Sequence, residues 1–317
     1  MKRFVFRVVS FVLLVVLTIG GLCALEVAAE LRQYRRELKA QPEAAVFVCG
    51  DSRTELGLNP SRWPALFNFS ASARTLDQTY LTAADILAAN SNRFQVMIVD
   101  VSPEGMCHDY GLSVGEMGSA SQYLLLYLLH RGKTSRSMSG VLGTFRDFIV
   151  DHRMHHLSRV VRGKTAFRSS LAGGYQRKEG CLKQKSPLGF AQSVEGWRVR
   201  TERLFDDPSA VAGRYFAILD RIVGLARDCG VEVVLITAPW HADLRARVGS
   251  DRLREFARTV RGYAELRGCR YLDGLNLLFP EDCWCDENHL NGKGSDAFTD
   301  FVRRWLEEES HGQTWQD

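Results

Sequence analysis

A serine hydroxyl becomes a useful nucleophile when a neighbouring base takes its proton, and an imidazole base works best when a third group fixes its orientation. The sequence offers one set of residues for this chemistry. Ser52 ends the turn Gly50-Asp51-Ser52, directly after the apolar run Ala44 to Val48. Near the C-terminus, Asp286-Glu287-Asn288-His289 places a carboxylate three residues before a histidine. In a tight turn that spacing lets the carboxylate hold one ring nitrogen while the other faces the serine. Either motif alone is weak. Gly-Asp-Ser arises by chance, and Asp-x-x-His before Leu290-Asn291-Gly292-Lys293-Gly294 also reads as a helix cap. Their order gives them weight: a first strand and turn, a last loop, then a closing amphipathic helix.

The elements that must position these residues follow from periodicity. Ala44 to Val48, Leu66 to Phe69, Val96 to Val101, Val231 to Thr237 and Arg270 to Leu272 read as strands, several of them apolar throughout and stopped by Pro103 or Pro239. Between them, Leu76 to Ala89, Val211 to Arg227 and the stretch bearing Leu253, Phe256, Val260 and Tyr263 have helical spacing, and Phe298, Phe301, Val302 and Trp305 mark a last helix. Apolar strands alternating with helices predict an α/β fold, a short parallel sheet covered on both faces in three α/β/α layers. In such sheets chemistry gathers outside the carboxyl ends of the strands. Ser52 follows the first strand and His289 the last, so both are expected at one edge.

The N-terminus reads separately. Lys2, Arg3 and Arg7 precede the apolar run Val8 to Leu25, about 18 residues, near the minimum for a transmembrane helix. An uncleaved anchor is preferred over a cleaved signal peptide, for which Ala24, Ala28 and Ala29 supply small residues. The basic flank favours a cytoplasmic N-terminus, although Arg32, Arg35, Arg36 and Lys39 follow the run. The expected layout is an anchor and helical stalk over 1–40 and a domain over 41–317, exported to the extracytoplasmic side of the cytoplasmic membrane. That domain carries a helical, basic insertion at about 104–208, which is preferentially read as a solvated basic surface rather than an anionic-lipid contact.

Composition excludes other classes. A net charge of +4 is too weak to imply nucleic acid, and no Gly-rich phosphate loop or internal repeat is present. Cys283 and Cys285 lack a second pair at zinc spacing, and His152, His155 and His156 lie in a basic stretch without carboxylates, so no metal and no cofactor is expected. An exported domain would permit disulfides among Cys107, Cys181, Cys229, Cys269, Cys283 and Cys285.

Gly50-Asp51-Ser52-Arg53-Thr54-Glu55, Phe67-Asn68-Phe69-Ser70-Ala71-Ser72-Ala73 and Asp286-Glu287-Asn288-His289-Leu290-Asn291 resemble the first, second and last blocks of the SGNH (GDSL-type) hydrolase superfamily. The likeness is strongest to its membrane-anchored members that handle acyl groups of envelope polymers, and spans about Ala44 to Leu306 with the basic insertion uncovered. It implies a flavodoxin-like fold, Ser52 as nucleophile, His289 as base and Asp286 as its orienter. The amides of Ser52 and Ala73 would form the oxyanion hole. Asn68 lies close to that site, with a turn-stabilising role preferred over direct donation. The implied substrate is an acylated carbohydrate or lipid-linked glycan, and a multi-pass acyltransferase is the implied partner if the reaction is transfer.

Two departures matter. Ala73 stands where the second block ends in Gly, and Ser102-Pro103-Glu104 replaces the Gly-x-Asn-Asp third block. Ser102 could lend its hydroxyl instead of the missing Asn, whose loss costs about a hundredfold to a thousandfold. Arg53 and Glu55 are expected to pair with each other or to border the substrate, and His241 to lie on the active edge as a loop residue or a substrate contact. Two readings remain: a serine esterase or O-acyltransferase, or a catalytically weak accessory protein of envelope polysaccharide assembly.

Overall fold

The computed structural model describes residues 43–72, 74–89, 93–107, 187–206 and 208–312, with Lys178 and scattered positions among the first 36 residues. Its described strands are β1 (Val46–Cys49), β2 (Leu66–Asn68), β3 (Val96–Asp100), β4 (Glu232–Thr237) and β5 (Arg270–Asp273). They form one five-stranded sheet in the order β2-β1-β3-β4-β5, parallel throughout. Every residue of β1 and β2 is buried, as is each residue of β4 after Glu232. Burial on both faces is why these strands read as unbroken apolar runs.

Helices α1 (Ser52–Gly57), α2 (Leu76–Ala89), α3 (Pro103–Cys107), α4 (Pro187–Asp206), α5 (Pro208–Asp228), α6 (Ala242–Val248), α7 (Ser250–Arg267) and α8 (Gly292–Gly312) cover the sheet. One core packs the α2, α5 and α7 faces on it, with Ile86, Leu219, Ile222, Phe256 and Val260 buried. The opposite core holds Phe298, Val302 and Leu306 of α8 against Val48, Ile98 and Ile236. Burying each of these side chains stabilises the fold by about 1.5–3 kcal/mol. The three-layer expectation therefore describes this part of the chain.

The reversal of strand order decides where a site can form. The chain leaves β1 for β2 on one side and returns past it to β3, so right-handed crossovers put α1 and α2 on opposite faces and leave a crevice beyond the ends of β1 and β3. The described ends of the expected insertion belong to this body: α4 packs on α3 and α6, with Val194 buried in the first core. The Tyr123 to Leu129 patch, the basic stretch from Arg131 to Arg168 and His152, His155 and His156 lie outside the described residues, as does most of the anchor segment. Among the described residues, no helix is long and apolar enough to cross a membrane. Cys49, Cys229, Cys269 and Cys283 are free thiols.

Candidate active site

Ser52 is the first residue of α1, and Asp51 caps that helix by accepting the Arg53 backbone N–H at 2.9 Å. A sharp strand-to-helix turn thus lifts the Ser52 hydroxyl beyond the end of β1. The opposing segment is equally fixed. In the loop before α8, the Cys285 N–H donates to the His289 carbonyl at 3.0 Å, and a single antiparallel bridge joins Trp284 to Leu290. Asn291 accepts the N–H groups of Lys293 and Gly294 at 3.0 and 3.1 Å and donates to the Asp282 carbonyl at 2.8 Å. It caps α8 and ties the loop down together. Gly294 is required here, because an added Cβ would stand 2.2 Å from the Cys283 carbonyl oxygen.

These two segments meet. The Ser52 Oγ lies 2.8 Å from His289 Nε2, across 237 residues of sequence. His289 Nδ1 lies 2.8 and 2.9 Å from the two Asp286 oxygens. An ionised carboxylate only accepts hydrogen bonds, so Nδ1 carries the ring proton and Nε2 presents its lone pair to the serine hydroxyl. The His289 and Asp286 side chains are 14% and 18% exposed, enough for a substrate to reach them yet shielded from bulk water.

The other residues expected at the site are placed differently. Arg53 is buried and pairs with Asp51 and Glu104, while its Nη2 donates to Ser102 Oγ at 2.6 Å. Its expected pairing with Glu55 is therefore corrected: α3 supplies its second carboxylate, and Glu55 instead accepts from Ser72 Oγ. Ser102 also accepts the Gly105 N–H at 3.0 Å, which makes it the cap of α3. Asn68 donates to the carbonyls of Thr54 and Leu58 at 2.9 and 2.7 Å and accepts the Ser70 N–H at 2.9 Å. Both amide hydrogens are spent on the nucleophile helix, so Asn68 braces the turn and has none left for an oxyanion.

His241 is likewise a buried brace. Its Nδ1 accepts the Asp243 N–H at 3.2 Å to cap α6, its Nε2 reaches Glu281 at 3.2 Å, and its ring meets Phe190 and Trp284 edge to face. Its backbone N–H donates to the Glu287 carbonyl, and Ser193 of α4 donates to the Glu287 carboxylate. His241 and Ser193 of α4 hold the loop that carries Asp286 and His289.

Ala73 lies outside the described residues. Its predecessors are tied to the nucleophile turn: the Ala71 N–H donates to the Gly50 carbonyl at 3.1 Å, and Thr54 Oγ1 donates to Ser70 Oγ at 2.9 Å. No described hydrogen bond uses the Ser52 N–H, which stays available at the first turn of α1. Among the described residues, no group of His, Cys, Asp and Glu side chains could hold a metal ion.

Sequence reasoning missed one part of the site. Asp51, Asp100 and Glu104 gather around Arg53 beneath the nucleophile turn. The available signal was a charged residue, Asp100, ending an otherwise apolar strand.

No family model and no curated protein matches the sequence. Solved structures similar in three dimensions include two from Bacteroides species. A protein of Bacteroides fragilis designated an acylhydrolase aligns over 88% of this chain and 96% of its own, with a TM-score of 0.43 and 11% identity. A GDSL-like lipase of Bacteroides thetaiotaomicron aligns over 88% of this chain and 97% of its own, with a TM-score of 0.44 and 10% identity.

Proposed function

We propose that this chain is a serine hydrolase or O-acyltransferase of the SGNH type, with Ser52, His289 and Asp286 as its catalytic triad. The observation that carries the reading is the continuous hydrogen-bonded line from Ser52 Oγ through the His289 ring to the Asp286 carboxylate. Ser52 Oγ attacks an ester carbonyl as its proton passes to His289 Nε2. Asp286 stabilises the imidazolium that forms. The Ser52 N–H, and that of Ala73, would receive the developing oxyanion. His289 then returns the proton to the departing alcohol, which leaves an acyl-serine. In the second half the imidazole activates water, giving an esterase, or a sugar hydroxyl, giving a transferase.

The finer reading is an enzyme tethered by the segment Val8 to Leu25 at the cytoplasmic membrane, with its domain on the extracytoplasmic side. It would act on acyl esters of envelope carbohydrate, with a multi-pass acyltransferase as partner in the transfer case. Support comes from the apolar run behind Lys2, Arg3 and Arg7 and from the block likeness around Ser52 and His289.

A second reading, a catalytically weak accessory protein, is favoured by one observation. Asn68, next to the expected oxyanion donors in sequence, spends both of its amide hydrogens on the Thr54 and Leu58 carbonyls. A fluorophosphonate probe separates the two. Labelling of wild type that disappears in Ser52→Ala supports the hydrolase, and a folded, unlabelled wild type supports the accessory protein.

A further inference from the structure

Beneath Ser52 lies a buried carboxyl that the triad does not use. β1 and β3 run in register with Cys49 opposite Val99, so Gly50 and Asp100 are the next neighbours along the pair. A Cβ on Gly50 would stand 2.5 Å from the Asp100 Cβ and 2.3 Å from Thr54 Oγ1. Glycine at that point lets the Asp100 side chain lie against the nucleophile turn. Asp100 is 8% exposed, and among the described residues no N–H or hydroxyl donates to either of its oxygens. The side chain that faces those oxygens is the Asp51 carboxyl.

Two carboxyls hydrogen-bond only when one of them holds a proton. Asp51 is the ionised member, because its Oδ1 accepts the Arg53 backbone N–H at 2.9 Å and Arg53 Nε at 3.2 Å. Arg53 also pairs with Glu104. One guanidinium already faces two carboxylates, and a third negative charge out of water would have to share that same cation. We infer, on the basis of the hydrolase reading above, that Asp100 is a positioning residue: a neutral acid whose hydrogen bond to Asp51 sets the turn presenting Ser52.

The electrostatics agree with this geometry. Burial first, and then the Asp51 charge, push the Asp100 acid well above the usual carboxylate range against the pull of Arg53. Burial acts the same way on Asp51, but Arg53 outweighs it and holds that carboxyl low. The titratable and charged groups facing Asp100 are Asp51 and Arg53 at the start of α1, Glu104 of α3 and Tyr271 of β5. A raised acid stabilises the fold fully below its unfolded value of about 3.9 and loses that contribution as pH rises through its folded value.

The test compares wild type with Asp100→Asn and Asp100→Ala on the full chain. Asparagine can donate the same hydrogen bond without ionising, so Asp100→Asn should keep the fluorophosphonate labelling rate within about threefold, whereas Asp100→Ala should lose about tenfold or more. Wild-type labelling should fall on the alkaline side as Asp100 ionises, and Asp100→Asn should lack that fall. The Tm of Asp100→Asn relative to wild type should rise with pH over the same window. In infrared spectra of Ser52→Ala, a protonated-carboxyl band should be present and should vanish in the double variant with Asp100→Asn. The inference is overturned if that band is absent, if Asp100→Asn is as poor as Asp100→Ala, or if Asp100→Ala labels like wild type. A wild type that never labels sinks the hydrolase reading instead, and the infrared and stability arms then decide the state of Asp100 alone.

Discussion

Replacing Asp286 by Asn isolates the charge of the triad from its shape. In the native loop the Asn288 N–H donates to Asp286 Oδ1 at 3.2 Å, so the asparagine oxygen will occupy that position and its NH2 the other. His289 Nδ1 lies 2.8 Å from the first position and 2.9 Å from the second. The variant thus keeps one acceptor for the ring proton, sets an N–H2 against it, and removes the negative charge that meets the imidazolium in the transition state. With charge centres about 4 Å apart, that attraction is about 1 kcal/mol in water and about 4 kcal/mol at the effective dielectric of a protein rim. The side chains are 14% and 18% exposed, which selects the upper part of this range. The expected loss is about 10³-fold, at about 1.4 kcal/mol for each factor of ten. The assay is the second-order rate of fluorophosphonate labelling at neutral pH, together with turnover of a short aryl ester, on protein whose circular dichroism and Tm match wild type. A folded Asp286→Asn protein that labels within about threefold of wild type would refute the assigned role.

Other substitutions probe what holds the two segments together. Asn68→Ala removes two donors to buried carbonyls and the acceptor of the Ser70 N–H; the Thr54 carbonyl keeps the Leu58 N–H, so urea unfolding should show a loss of about 2–6 kcal/mol, at about 1–3 kcal/mol for each of the two stranded groups. Gly50→Val should abolish labelling, since even its Cβ would collide with Thr54 and Asp100 in the nucleophile turn, while far-UV circular dichroism reports whether the sheet survives. Phe298→Ala, in the core beneath α8, should cost about 3–5 kcal/mol in the same urea experiment with its m-value unchanged.

The elements were largely legible because this sheet is buried on both faces. An apolar run bounded by Pro or Gly has few other uses, and Leu76–Ala89 and Glu232–Thr237 match the segments read from periodicity within a residue. The meeting of Ser52 with His289 was legible through topology, since the first and last strands of a parallel sheet deliver their following loops to one edge. The partners of the charged residues were not. Glu55 is nearer to Arg53 in sequence than Glu104, but one helical turn directs Glu55 towards Ser72, while the pairing of β1 with β3 brings α3 under the guanidinium. Contacts set by strand register have no local signature. His241 lies after β4 near the active edge, as its place in the sequence suggested, and the Trp284 and Phe190 rings pack against it.

The structure also recasts what the missing third-block asparagine means. Its position is not an empty site awaiting a substitute, because Ser102 has been drawn into a different device that joins Arg53, Glu104 and the start of α3. The nucleophile turn is therefore anchored from below by charge, through Asp51 and Arg53, and from the side by Asn68 and Ala71. In the proposed reaction the oxyanion would rest on backbone N–H groups, whose strength depends on how rigidly the turn holds them. Loosening the cluster should then lower the labelling rate more steeply than it lowers Tm, and equal effects on both would show that the cluster serves the fold and not the site.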